Sequence, residues 1–120
     1  MMKVTIQSPG FKLTESLEKY TREKLALSLG RYRQKITEIN VTLLDINGPK
    51  GGEDMRCKIL IKVIGMHPIL LQETSDDMYL AISSCLQRSR QTLIRQIRKA
   101  DRKKISQTDF IIRQADALST

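Results

Sequence analysis

Two alternating segments joined by a glycine-rich run constrain this chain more than anything else in it. Thr37 to Ile46 places Ile39, Val41 and Leu43 on one side, while Arg56 to Ile64 sets Cys57, Ile59, Ile61 and Val63 against Arg56, Lys58 and Lys62. Side chains of a strand point alternately to opposite faces, so both patterns belong to strands with one face on a core and one in water. Between them Asn47-Gly48-Pro49-Lys50-Gly51-Gly52-Glu53-Asp54 is turn chemistry, which predicts an antiparallel hairpin. A sheet with one apolar face needs a second layer to cover it.

The rest of the chain supplies that layer. Met2 to Gln7 alternates around Val4 and Ile6 as a first strand, and Ser8-Pro9-Gly10 breaks it. Thr14 is a good N-cap for a helix, because its hydroxyl can accept from an orphan amide of the first turn. Leu17, Tyr20 and Leu27 are expected on its apolar face, broadened by Leu25 and Leu29, with Gly30 just past its end. Gly65 to Pro68 makes a second connection and Ile69 to Gln72 a short fourth strand, with Pro68 where no ladder donor is needed. Ser75 or Asp76 is expected to cap a second helix, with Asp77 adding negative charge at its start; Ile82, Leu86, Leu93 and Ile97 recur along it at helical spacing. The order is β-α-β-β-β-α. It predicts an α+β domain, a four-stranded sheet with both helices packed on one face, over residues 1–104. From 105 to 120 the pattern dissolves apart from Phe110-Ile111-Ile112, and a flexible tail is expected there. A chain of 120 residues is the size of one domain.

Charge is concentrated on the second helix. Arg88 to Lys104 carries eight of the 21 basic residues and one acid, Asp101, so its +7 nearly accounts for the +8 of the whole chain. At ~100° per residue, Arg88, Arg95, Lys99 and Arg102 fall within about 60° of one another, flanked by Arg98 and Lys103. The apolar set Ile82, Leu86, Leu93 and Ile97 lies nearly opposite. A merely solvated face mixes both signs; a stripe this one-sided repels itself unless a polyanion is its partner. Lys19, Arg22 and Lys24 of the first helix, with Arg31, Arg33 and Lys35 after it, add positive charge diluted by Glu15, Glu18 and Glu23. Helices lying side by side would merge the two surfaces into one groove-lining patch. With no Trp, no paired aromatics on any strand and no zinc-ligand spacing, the mode left is sequence-blind contact of Arg and Lys with phosphates of structured RNA or DNA. Its affinity should fall steeply as salt rises.

Other functions find little support. No apolar run approaches the ~20 residues that span a bilayer, and Met1-Met2-Lys3-Val4-Thr5 leads directly into a strand, so no signal peptide is expected. Cys57 and Cys85 are expected as reduced, buried thiols of a cytoplasmic protein. His67 is the only histidine and has no neighbouring carboxylate to work with. The glycine-rich turn is followed by a strand and not by the Lys-Ser/Thr that opens a P-loop helix, and Asp76 and Asp77 suit capping. No enzyme, metal or cofactor is expected. The more serious rival is a protein-interaction module. The outward sheet face is expected to carry Leu44, Ile46, Leu60, Ile64 and Leu70 among Arg56, Lys58 and Lys62, a surface for a homodimer or other partner unless the tail folds over it. Binding of anionic lipid through the second helix would need its apolar side free, and the core should use that side.

Several motifs narrow the choice. Asp77-Met78-Tyr79-Leu80-Ala81-Ile82 opens the second helix, Thr14-Glu15-Ser16-Leu17 the first, and Asp45-Ile46-Asn47-Gly48-Pro49-Lys50-Gly51-Gly52 leads on to Arg56-Cys57. With the order of elements, they resemble the ribosome hibernation promoting factor and ribosome-associated inhibitor family, also called sigma-factor modulation proteins, over roughly Met2 to Lys104. The first matches the family's Asp-Met-Tyr-x-Ala-Ile, and the last is similar to the hairpin of a short single-domain branch. The resemblance implies a fold like that of double-stranded-RNA-binding domains. It also implies a factor that binds the small ribosomal subunit near the decoding region, blocking mRNA and tRNA under stress. Arg22, Lys24, Arg88, Arg95 and Lys99 then match positions that are usually basic and face the rRNA, and Arg98, Arg102 and Lys103 extend the same stripe. Gln91 stands where many members carry Arg, Ser89 where many carry an apolar residue, and Thr74 in place of an acid. Arg95-Gln96-Ile97-Arg98-Lys99 looks like the family's basic motif displaced by one turn. The middle of the second helix is where this protein should differ from its relatives. Without the extra C-terminal domain of long members, it is not expected to pair ribosomes alone.

Overall fold

The computed structural model describes residues 2–46 and 54–119, with side chains through Arg102. Strands β1 (Lys3–Gln7), β2 (Ile36–Asp45), β3 (Met55–Val63) and β4 (Ile69–Ser75) form one sheet in the order β1-β2-β3-β4. β1 runs parallel to β2 and the other neighbours are antiparallel. A parallel neighbour needs a crossover, and helix α1 (Glu15–Leu29) provides it. The expected hairpin is present as the β2–β3 pair, closed where the Ile46 amide donates to the Asp54 carbonyl at 3.0 Å. Its turn, residues 47–53, lies outside the described residues. Gly65 turns β3 into β4 with φ of +73°, a conformation that a Cβ disfavours.

Register turns the alternation into a core. Ile39, Ile61 and Ile69 lie side by side across β2, β3 and β4, and Val41 and Ile59 form the next row; all five are buried. Two helical segments cover this face. In α1 the buried residues are Leu17, Thr21, Leu25 and Leu29, spaced by four. Leu27, expected among them, is 81% exposed. Ten residues from Leu17 is not a whole number of turns, and Leu27 falls on the far side. Thr21 occupies the apolar stripe because its hydroxyl donates to the Leu17 carbonyl at 2.7 Å. The Thr14 hydroxyl accepts from the Leu17 amide, as expected of the cap. Gly30 ends α1 in a right-handed conformation and leads into a 3-10 turn, Gly30–Tyr32, so its left-handed freedom goes unused.

Helix α2 (Met78–Ser119) differs from expectation at both ends. β4 continues through Ser75, which pairs with Met55, and the cap therefore moves to Asp77, whose Oδ1 accepts from the Tyr79 amide at 2.9 Å. Ser75 instead accepts from the Asp77 amide. At the other end the backbone stays helical past Lys104, in a stretch without Gly or Pro to stop it. The expected tail, 105–120, has its side chains outside the described residues. The chain divides into two compact units, Met1–Arg90 and Gln91–Thr120. In the first, Met78, Ala81, Ile82, Cys85 and Leu86 are buried; in the second, Leu93 and Ile97 are.

Candidate nucleic-acid interface

In the first unit the candidate basic residues differ sharply in what surrounds them. Arg22 is exposed on α1, and its Nε donates to Glu18 one turn back at 3.3 Å. It shares a shallow depression with Glu15, Glu18, Lys19 and Glu23. Acids and bases alternate there, the composition of an ordinary solvated face. Lys24 is half-buried, with Nζ 5.6 Å from the centre of the Tyr20 ring, in range of a cation–π contact. The Tyr20 hydroxyl lies 2.7 Å from that of Ser83, and its ring meets the Tyr79 ring edge-on, centroids 4.7 Å apart at 75°. These contacts tie α1 to the opening turns of α2. No local pattern announces a pair separated by so much chain; the tyrosine of the Asp77–Ile82 motif was its only trace.

Arg88 is exposed, and its guanidinium pairs with the Glu73 carboxylate of β4. That pairing raises the Arg88 pKa, and a phosphate arriving here would have to displace Glu73. Ser89 lies off the stripe. It is fully buried, and its hydroxyl donates to the Cys85 carbonyl at 2.7 Å. The departure from the family at this position is thus one of packing, with the polar atom satisfied inside the helix. Cys85 donates to the Leu71 carbonyl at 3.5 Å, and both cysteines are free and buried. Hydrogen bonding to Cys85, then burial, push the Cys57 thiol well above the usual thiol range.

In the second unit Arg95, Arg98, Lys99 and Arg102 are all exposed. None forms an ion pair among the described residues. A shallow depression is lined by Gln91, Ile94, Arg95, Arg98 and Arg102, so Gln91 is a neutral gap among arginines on one side of the helix. The Lys103 side chain lies outside the described residues.

The outward face of the sheet is more polar than expected. Leu60 and Leu70 are direct neighbours, and Leu70 is 61% exposed. Leu44, however, is separated from them by the row of Thr42, Lys58 and Gln72. Lys62 pairs with Glu38 at 3.1 Å and holds that carboxyl below its usual range. Arg56 donates to Thr74 at 3.3 Å, which gives a strand role to the threonine standing where relatives carry an acid.

Among the described residues no group of three or more His, Cys, Asp or Glu side chains could hold a metal ion, and no helix is long and apolar enough to cross a membrane. No curated protein sequence matches the chain. Solved structures share its fold, among them the following two. A ribosomal subunit interface protein from Coxiella burnetii matches with a TM-score of 0.65 at 20% identity, covering 79% of this chain and 96% of the other. The N-terminal domain of Protein Y from Thermus thermophilus matches with 0.63 at 21%, covering 75% and 92%. Residues 4–105 match the family model described as sigma 54 modulation protein / S30EA ribosomal protein. The mixed four-stranded sheet, its two helices and this match over most of the sequence mean that the chain belongs to that family of ribosome-associated, non-enzymatic factors.

Proposed function

We propose that the protein binds small-subunit rRNA near the decoding region through the basic face of α2 and, by standing in the path of mRNA and tRNA, keeps idle ribosomes inactive under stress. The observation that carries this reading is the set Arg95, Arg98, Lys99 and Arg102, exposed and without carboxylate partners among the described residues. Like charges three and four residues apart destabilise a helix; phosphates on that face remove the penalty. Lys24 and Lys103 extend the contact, while Arg22 and Arg88 contribute after exchanging Glu18 and Glu73 for phosphate. The ribosome-binding body is residues 1–104, and the work is done in the cytoplasm. Sedimentation with ribosomal subunits across a salt series tests the reading. The protein should travel with the small subunit at low salt and leave it as salt rises; absence from that fraction at the lowest salt would sink the idea.

A second reading is supported by the neighbouring Leu60 and Leu70, the latter largely exposed. On it, the outward sheet face makes a homodimer and leaves the basic helix free. Light scattering should then give twice the monomer mass, reduced to the monomer by Leu60→Glu with RNA binding retained. A monomer at all concentrations removes this reading.

A further inference from the structure

The aromatic pair of Tyr20 on α1 and Tyr79 at the start of α2 is not used by the phosphate contacts proposed above. Tyr79 is 41% exposed and Leu80, beside it, 55% exposed, on a helix whose inward face is otherwise well covered. The Tyr79 backbone is held by the Asp77 cap, and its ring rests edge-on against Tyr20. Tyr20 is itself fixed through Ser83 and by Lys24 over its ring. Rings at 75° meet edge to face, so this contact by itself cannot occupy both faces of either ring, and Tyr79 as a whole stays 41% exposed. The Tyr79 hydroxyl makes no hydrogen bond among the described residues. Exposed π-surface on a rigid mount, with an ammonium nearby, is the arrangement that holds an unstacked base and its phosphate.

We propose that Tyr79 stacks an unpaired base of the bound RNA, with Lys24 on the adjoining phosphate and Leu80 flanking the base. Asp76 and Asp77 put negative charge at the same helix end, which disfavours a phosphate there and leaves the neutral base as the group that suits the ring. The assignment rests on the RNA-binding reading above and adds a preference to it. The basic face alone treats all structured RNA alike; the tyrosine favours RNA that offers an unpaired nucleotide.

The test uses two RNA duplexes that differ by one bulged adenosine, titrated by anisotropy at fixed salt. Wild type should prefer the bulged duplex by about fivefold or more. Tyr79→Phe, which keeps the ring, should keep that preference. Tyr79→Leu should lose it and still bind the paired duplex as before. The chain has no Trp and three Tyr, so its emission comes from tyrosine. The bulged duplex should quench it more than the paired one, and this excess should vanish in Tyr79→Phe. The emission comparison needs only wild type and Tyr79→Phe, so it decides the matter even where Tyr79→Leu fails to fold. Equal wild-type affinity for both duplexes, or a preference that survives in Tyr79→Leu, overturns the stacking site and leaves the basic face standing. Failure to bind either duplex at low salt removes both. Adenosine monophosphate quenching at the concentration at which the bulged duplex does would assign the ring to free nucleotides and overturn the RNA assignment.

Discussion

Replacing Arg95 and Lys99 together by glutamate is expected to weaken binding to small-subunit RNA by on the order of a hundredfold or more near physiological salt. The two residues lie one turn apart on α2, exposed, and have no carboxylate partner among the described residues. Each charge-assisted hydrogen bond is worth roughly 1.5–3 kcal/mol, and removing two already exceeds a hundredfold before the repulsion of the new carboxylates is added. The slope of log affinity against log salt should flatten by nearly one for each phosphate that the variant no longer neutralises. The melting temperature should hardly move, since neither side chain is buried or paired, and breaking up a run of like charges favours the helix. Filter binding over a salt series, with a thermal melt of the same variant, reads both. Retained affinity would mean that the stripe does not face the RNA; a lower melting temperature would mean that it supports the fold. Arg22→Gln is the useful contrast. Its guanidinium already faces Glu18 in mixed surroundings, and a smaller loss is expected.

Ile59→Ala is expected to cost about 2–5 kcal/mol, while Leu60→Ala, its neighbour in sequence, should cost under about 1.5. Ile59 is completely buried between Val41 and Leu71 on the covered face of the sheet, whereas Leu60 is half-exposed on the outward face beside Leu70. Domains of this size have only about 5–15 kcal/mol of stability to lose, so the first substitution should lower the melting temperature by roughly 10 °C or more and the second by a few degrees. Circular dichroism melts of the pair read the register of β3 directly, because a slip of one residue would exchange the two results. Equal losses would contradict the sheet as described.

The strands and the N-cap of α1 were legible because their signals are local. Alternation in Thr37–Ile46 and Arg56–Ile64 specified which side of each strand is apolar, and the pairing confirms it residue by residue. Thr14 caps α1 through its own hydroxyl, a contact between residues three apart. Expectations failed where a local rule met a longer-range partner. The cap of α2 passed to Asp77 because Ser75 is committed to pairing with Met55. Leu27 was placed on the apolar face at roughly helical spacing from Leu17 and Tyr20 and is exposed, and Leu44 looked contiguous with Leu60 until the register put Thr42 and Lys58 between them. Ser89, which stands where many relatives carry an apolar residue, is buried. That leaves Gln91 as the neutral residue on the exposed side.

By itself the sequence determined the order of elements, the apolar side of each strand and the position of the charge. Each of these depends on chemistry within a turn or two of chain, where the spacing of residues sets which side chains share a face. It also contained the motif by which the family is recognised. Only the tertiary structure decided which of the charges are spoken for. Arg88 meets Glu73 across the gap between helix and strand, and Tyr20 meets Tyr79 between two helices. Partners so distant along the chain come together because burying the sheet's apolar face forces the layers onto one another, and that constraint has no local signature. The basic face counted as uniform on a helical wheel. In three dimensions it divides into residues already paired with carboxylates and residues, from Arg95 to Arg102, exposed without such a partner among those described.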